Sequence, residues 1–147
     1  LMNVKGNPFV IEYNVRMGDP ETQVVIPRIK NDLLSIINDC LENNLEELKL
    51  DFDERFVTTV ILAADGYPNG YDKGDEIENL SEEGNTKIFH AGTKSLGNKI
   101  LSNGGRVLAC TGFGENINEA LKNSYKTANK ISWKNKYFRN DIGKDLI

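Results

Sequence analysis

In the stretch FVIEYNVRMGDPETQ, Glu12, Asn14 and Arg16 stand two residues apart, and Gly18, Asp19, Pro20 and Glu21 follow at once. If this stretch is a strand, successive side chains alternate between its faces. The carboxylate, the amide and the guanidinium then project together, while Ile11, Tyr13, Val15 and Met17 project the other way. An ordinary wet strand face is satisfied by Lys, Thr or Ser, so this set is a more particular choice. From the residues alone two readings stand open: a half-buried strand with a solvated outer face, or a polar binding site carried on a strand.

The elements that must position these groups follow in order. Leu33, Leu34, Ile36, Ile37, Cys40, Leu41 and Leu45 recur at helical spacing and predict a core-packing helix. Asn31 or Asp32 can cap it, and the pair Asn43 and Asn44 can close it. ERFVTTVILAAD predicts a buried strand through Val57, Val60, Leu62 and Ala64. GYPNGYDKGDEI is dense in turn residues and reads as a loop in which Tyr67 and Tyr71 are expected to be buried anchors. KIFHAGT and KILSNGGRVLACTGFG predict short strands separated by a hairpin turn at Ser95 to Asn98. Asn103, Gly104 and Gly105 mark a second turn or a bulge. ENINEALKNSYKTANKI predicts a second helix, with Asn116 as N-cap and Glu119 three residues on. Its packed face is read as Ile117, Ala120, Leu121, Ser124, Ala128 and Ile131, and Lys122, Lys126 and Lys130 form a solvated stripe. Trp133, Tyr137 and Phe138 are expected to pack back on the core.

Composition bounds the function classes. The chain has 147 residues, near the size of one domain, and no apolar run long enough to cross a bilayer. With 22 Asp and Glu against 18 Lys and Arg the net charge is −4, which leaves no whole-chain electrostatic argument for nucleic acid. Cys40 and Cys110 lack metal-ligand spacing and read as reduced, buried thiols of a cytoplasmic protein. The opening LMNVKGNPFV has neither an initiator Met first nor the pattern of a signal peptide, and reads as part of something longer.

IEYNVRMGDPETQ resembles the last metal-binding strand of ATP-grasp ligases, in the form found in the glycinamide ribonucleotide synthetase (phosphoribosylamine-glycine ligase) family. DGYPNGYDKGDEI, FHAGT, NGGRVLACTGFG and YFRNDIG are similar to successive signatures of that family's C-terminal domain, in the right order from Ile11 to Gly143. The resemblance implies an α+β architecture: residues 1–50 as the C-terminal piece of an ATP-grasp domain, and residues 51–147 as a small antiparallel β-sheet domain with flanking helices. It implies an ATP-dependent ligase of purine biosynthesis, joining glycine to 5-phosphoribosylamine through a glycyl phosphate.

By position, Glu12 and Asn14 match the family's ligands for Mg2+ (or Mn2+). Magnesium is a hard ion that takes one or two protein oxygens and completes its octahedron with phosphates and water. Arg16 would then face the transferring phosphoryl group or the substrate carboxylate. Asp19 and Glu21 are candidates for orienting Arg16 or for binding phosphoribosylamine, and equally for an ordinary turn with an N-cap and a first-turn carboxylate. His90, the single histidine, is read as a hydrogen-bonded structural residue, because phosphoryl transfer in the family rests on positioning and metal ions. NGGRVL lacks the Lys and following helix of a phosphate loop, so Gly104 and Gly105 are backbone geometry and Arg106 is an unassigned contact.

In the family the adenine pocket, glycine-rich loop and phosphate-binding lysine would lie before Leu1, so this chain alone is expected to have no ligase activity. Partners are ATP, glycine and 5-phosphoribosylamine, with no nucleic acid, no membrane and a monomeric state expected. Two departures from the family pattern are Asp65 before GYP and the run past DIG into KDLI. The alternatives are a carboxylase-type ATP-grasp ligase, or a non-catalytic interaction or carrier module. A carrier would need a lysine displayed at a hairpin tip, where Lys94 and Lys99 lack the defining neighbours.

Overall fold

The computed structural model describes all of residues 1–147. Its centre is a four-stranded antiparallel sheet of order β4-β7-β3-β8, formed by β3 (Phe56–Ala64), β4 (Thr86–His90), β7 (Arg106–Gly114) and β8 (Lys136–Tyr137). In β3 and β7 the β-branched and small residues set the pleat. Val60 pairs with Cys110 and Leu62 with Leu108, so the even-numbered side chains of both strands share one face. Against that face lies the 14-residue helix α3 (Ile117–Lys130), and between them sit Val60, Leu62, Leu108, Cys110, Ala128, Ile131 and Trp133.

Helix α3 starts as the sequence predicts: the Asn116 side chain accepts from Glu119 N–H at 2.9 Å, and the Glu119 carboxylate accepts from Glu115 N–H at 2.9 Å. Its buried face is Ala120, Leu121, Ser124, Thr127 and Ala128, which adds Thr127 to the expected set and leaves the expected Ile117 only half-buried. Lys122 is solvated, whereas Lys126 and Lys130 reach across to the Glu83 carboxylate. At the far end Lys136 donates to Ala128 O and Ile131 O and so closes the helix. The same contact leaves Lys136 partly buried beside Cys110, which holds its ammonium below the ordinary lysine range, while burial pushes the Cys110 thiol up to about 12.

A second hairpin, β5 (Thr93–Leu96) with β6 (Lys99–Ser102), turns through Gly97 and Asn98. A hairpin turn falls here as expected but is shorter than Ser95 to Asn98: Ser95 and Leu96 belong to the strand, paired with Ile100 and Lys99. Residues 74–77 strap this hairpin down, with Gly74 N–H donating to Ser102 O at 2.7 Å and Ile77 N–H to Ile100 O at 2.8 Å.

The first third behaves differently, and three expectations are corrected there. The loaded stretch is not a strand through Met17: β1 (Met2–Val4) and β2 (Asn7–Phe9) form a small hairpin, and residues 10–17 run on with no strand beside them. Strand geometry needs a partner for its N–H and C=O groups, and none of the other elements supplies one. Helix α2 (Leu33–Leu41) is capped by Asp32, which accepts from Ser35 N–H at 2.8 Å, and closed by Asn43 at φ 58°. It does not pack on the core: Leu34 is 66 % and Leu41 77 % exposed. Cys40 on that helix is exposed rather than buried. Of the loop anchors, Tyr71 packs against the core and Tyr67 stays 41 % exposed, their rings meeting edge to face at 5.9 Å.

Two tests follow from this packing. A Cβ at Gly112 would lie 2.4 Å from Ser124 N and 2.5 Å from Ala120 O, both helix backbone. Gly112→Ala should therefore push α3 off the sheet and lower unfolding stability by about 1–3 kcal/mol in urea denaturation, with an unchanged m-value. At the entry to β3, the Arg55 guanidinium grips Asp53 at 2.6–3.1 Å, donates to Asn85 Oδ1 at 3.0 Å and covers the Phe113 ring at 4.8 Å. Hydrogen bonds from Arg55 hold the Asp53 carboxyl at about 2, below its ordinary 3.8. A depressed carboxyl adds stability above the unfolded value and loses it as pH falls through the folded one. The stability gap between the natural protein and Arg55→Gln should thus narrow between pH 4 and pH 2 in pH-dependent melts; a constant gap would refute the linkage.

Candidate functional site

Glu12, Asn14 and Arg16 all lie on the exposed, irregular run that follows β2, which bends at Val15 and Arg16. Arg16 Nη1 donates to Met17 O at 3.1 Å and makes no bond to Asp19 or Glu21. The apolar partners of the alternation are open too, with Val15 97 % exposed. An exposed carboxylate and an exposed amide two residues apart form a donor set that suits a hard cation through oxygen. No three His, Cys, Asp or Glu side chains of this chain gather into a metal-binding cluster.

The turn after the run is closed by hydrogen bonds. The Glu21 carboxylate accepts from Gly18 N–H at 2.7 Å, and Thr22 Oγ1 donates to Gly18 O at 2.9 Å. This wraps the backbone into the short helix α1 (Thr22–Val25) and the 3-10 turn Ile26–Arg28. Asp19 is held from the other end of the chain: Arg106 Nη1 donates to Asp19 O at 3.3 Å, and Arg106 Nη2 stands 3.4 Å from the Asp19 carboxylate. Glu21 is thus occupied within the turn, and Asp19 is tied to the sheet.

Alternation along β3 and β7 explains why this segment sits where it does. The odd-numbered residues Thr59 and Thr111 face away from α3, and the segment 18–28 covers them. Thr111, fully buried, donates from Oγ1 to Gln23 O at 3.1 Å and lies 3.0 Å from Thr59 Oγ1. Further down, Arg28 Nε donates to Asp53 O at 2.9 Å, and Ile29 bridges Phe52. Residues 18–31 are therefore the hinge plate that joins the loaded run to the sheet.

The part of that sheet face left uncovered is a cleft of about 300 Å3, lined by Pro20, Ile61, Tyr67, Arg106, Tyr137 and Arg139 among others. Tyr137 reaches it because it pairs with Ala63, on the face opposite α3. Sequence reading left Arg106 unassigned and gave no role to Tyr137 or Arg139 beyond packing and motif. The two-residue strand β8 is too short for periodicity to show which face Tyr137 takes. His90 is exposed at the end of β4, its Nδ1 lies 3.0 Å from Thr93 Oγ1, and it is not among the residues that line the cleft. Lys99 pairs with Glu76 at 2.5 Å and is not displayed at the Gly97–Asn98 tip.

Residues 57–145 match the family described as phosphoribosylglycinamide synthetase, C domain. A phosphoribosylamine-glycine ligase of Fusobacterium nucleatum is 42 % identical over 147 residues, covering 97 % of this chain and 34 % of that protein. A bifunctional purine biosynthetic protein of Dictyostelium discoideum is 47 % identical over 142 residues, covering 94 % of this chain and 17 % of its own length. The crystal structure of a phosphoribosylamine-glycine ligase from Thermotoga maritima superposes with a TM-score of 0.78 at 40 % identity, over 95 % of this chain and 34 % of that one. The chain thus spans about a third of the length of the ligases it matches.

Thr111 gives a test of the hinge plate. Thr111→Val keeps the volume but leaves Gln23 O without its donor, at a cost of about 1–3 kcal/mol. Amide hydrogen exchange should quicken across residues 18–28 more than in β3 and β7; uniform quickening would show that the hydroxyl serves the sheet rather than the segment.

Proposed function

Because the chain belongs to the phosphoribosylglycinamide synthetase C-domain family, we propose that it works as the C-terminal part of an ATP-dependent ligase joining glycine to 5-phosphoribosylamine. The observation that carries this reading is the likeness, over nearly the whole chain, to proteins named phosphoribosylamine-glycine ligase. The carboxylase-type and carrier readings gain nothing from those relatives, and the paired Lys99 counts against a carrier.

Residues 1–50 are assigned to the end of the ATP-grasp unit and residues 51–147 to the C-terminal domain. In this assignment the exposed apolar side chains of the first third, among them Ile11, Val15, Leu34 and Leu41, are a face that the nucleotide-binding part covers. Glu12 Oε and Asn14 Oδ1 would hold Mg2+ (or Mn2+). When bound, the ion neutralises and orients the phosphates of ATP. Arg16 supplies a guanidinium to stabilise charge on the transferring phosphoryl group or the glycine carboxylate. Asp19 and Glu21 shape the turn beside it, and Asp19 borders the phosphoribosylamine side of the pocket. Glycyl phosphate formation transfers the γ-phosphoryl of ATP to the glycine carboxylate, and attack by the amine then releases phosphate. The molecule is read as a monomer of the cytoplasm; no helix is long and apolar enough to cross a membrane.

The test uses the chain extended upstream to the length of its ligase relatives. With ATP, magnesium, glycine and phosphoribosylamine, Glu12→Gln and Asn14→Ala should each lower ADP release at least about a hundredfold, while His90→Asn should shift only the melting temperature. The 147-residue chain alone should release no ADP above background. Unchanged turnover and metal dependence in Glu12→Gln would remove the metal-ligand assignment.

A further inference from the structure

Two Asn-Gly pairs occur in the chain, Asn69–Gly70 and Asn103–Gly104. In such a pair the glycine backbone nitrogen can attack the asparagine side-chain carbon and close a succinimide ring, provided the chain is free to bring the two atoms together. Glycine puts no Cβ in the way and tolerates the backbone rotation that the approach needs. As sequence the two pairs are equal, and only their surroundings separate them.

Asn103–Gly104 is locked. Asn103 N–H donates to Gly92 O at 2.7 Å, and the Gly104 backbone is stacked on Gly92, where an added Cβ would fall 2.6 Å from Gly104 Cα and 2.8 Å from Gly104 N. The next residue, Gly105, is buried under the Tyr67 ring, 1.9 Å from where its own Cβ would stand. Ring closure at Asn103 would have to part this turn from Gly92 first.

Asn69–Gly70 is free. Both residues are exposed, the Asn69 side chain and the Gly70 N–H make no hydrogen bond within the protein, and a Cβ at Gly70 would meet nothing within 4 Å. The loop is tied only on either side of them: Asn69 N–H donates to Gly66 O at 2.9 Å, and the Tyr71 ring packs against the core. Between these anchors the backbone can turn without giving up a hydrogen bond. The nearby Asp65–Gly66 pair lacks that freedom, since Gly66 N–H donates to Asp65 Oδ1 at 3.0 Å, Asp65 N–H donates to Asn135 O at 2.8 Å, and a Cβ at Gly66 would fall 2.2 Å from Gly70 O.

We propose that Asn69 is a site of spontaneous covalent modification, deamidating and isomerising through a succinimide while Asn103 stays intact. The Gly70 nitrogen gives up its proton and bonds to Asn69 Cγ. The bond from Cγ to the side-chain nitrogen breaks, and that nitrogen leaves with the proton as ammonia. Water then adds to one of the two ring carbonyls: breaking the new Cγ–N bond gives aspartate, and breaking the original peptide bond gives isoaspartate, whose main chain runs through Cβ and Cγ. Nothing is oxidised or reduced. Either product adds a carboxylate next to Gly70, which lines a polar cavity with Asp65 and Asp72. The isoaspartate also lengthens the backbone between Tyr67 and Tyr71, whose rings meet at 5.9 Å. This inference stands apart from the ligase reading.

The test incubates the 147-residue chain in mildly alkaline buffer and follows its tryptic peptides by mass spectrometry, with fragment ions separating Asn69 from Asp65 in their shared peptide. Isoaspartate is read by methyl transfer from labelled S-adenosylmethionine with a protein isoaspartyl methyltransferase. In the folded chain Asn69 should gain the mass of deamidation about tenfold or more faster than Asn103, and in urea that unfolds the chain the two rates should converge. Gly70→Ala, whose Cβ has open space, should slow the conversion about tenfold or more with an unchanged melting curve. Equal rates in the folded chain, faster conversion at Asn103, or an Asn69 that converts only in urea would overturn the proposal. A Gly70→Ala rate equal to that of the natural chain would overturn the ring-closure route.

Discussion

β7 can be a central strand only because its two faces carry different chemistry. Toward α3 it presents Gly112 and Gly114, whose missing side chains let helix backbone come within van der Waals reach, and below them Cys110 and Leu108 fill the core. Away from α3 it presents Thr111, a buried hydroxyl that must find an acceptor and finds Gln23 O. A single larger side chain on the first face, or an apolar one on the second, would release one of the two layers from the sheet. The close approach also explains the neighbouring polar network: Ser124 on α3 donates back to Ala120 O or across to Thr58 O, at 3.1 Å and 3.0 Å, and Asn123 donates to Phe113 O at 2.7 Å. Backbone brought this near must be satisfied by side chains, because water is excluded.

The consequence is an uneven molecule. From Val57 onward most apolar residues are buried or half-buried, Tyr67, Leu96, Tyr137, Leu146 and Ile147 excepted, and most of the exposed large hydrophobics lie earlier, from Leu1 through Phe56. An amphipathic helix such as α2 gains most of its stability by burying its stripe, so the same helix standing open has only its cap and its Asn43 turn to hold it. The hinge plate at residues 18–31 is the exception within the first third. It is held by Thr111, by Arg106 and by the pairing of Ile29 with Phe52, all contributions from elsewhere in the chain.

How far the sequence could be read follows the same division. The apolar, β-branched run FVTTVILAA, the apolar run RVLACTGFG after its glycine turn and the 3.6 period of INEALKNSYKTANK are enough to place β3, β7 and α3, because both partners of each contact lie within the chain. The Asn116 cap, the Asp32 cap and the αL residue Asn43 were legible because capping is local chemistry. Periodicity misplaced the environment of α2 and of Cys40, since a hydrophobic stripe announces that a face will be buried without saying by what. It also extended the loaded strand past Phe9, since an alternating pattern is a statement about faces and not about hydrogen-bond partners. The cleft was illegible for a third reason. Pro20, Ile61, Tyr67, Arg106, Tyr137 and Arg139 come from five separate places in the chain, and no spacing rule joins them.

The physical link between the cleft and the loaded run is short. Asp19 contacts Arg106 at the rim of the cleft, and seven residues before it stands Glu12, with Asn14 and Arg16 between. A metal site needs its oxygens held at fixed separation, and an irregular run with unpaired backbone cannot provide that alone, because each free residue keeps its conformational entropy. Two constraints can remove that freedom. One is a strand laid beside residues 10–17, which would pair the backbone and bury Ile11, Tyr13 and Val15. The other is the anchor already present, the Gly18–Glu21 turn clamped by Arg106 and Thr111, which fixes the C-terminal end of the run. In this arrangement the C-terminal sheet does more than close a pocket. It fixes the base of the segment that carries Arg16, Asn14 and Glu12, through Arg106 on Asp19 and Thr111 on Gln23.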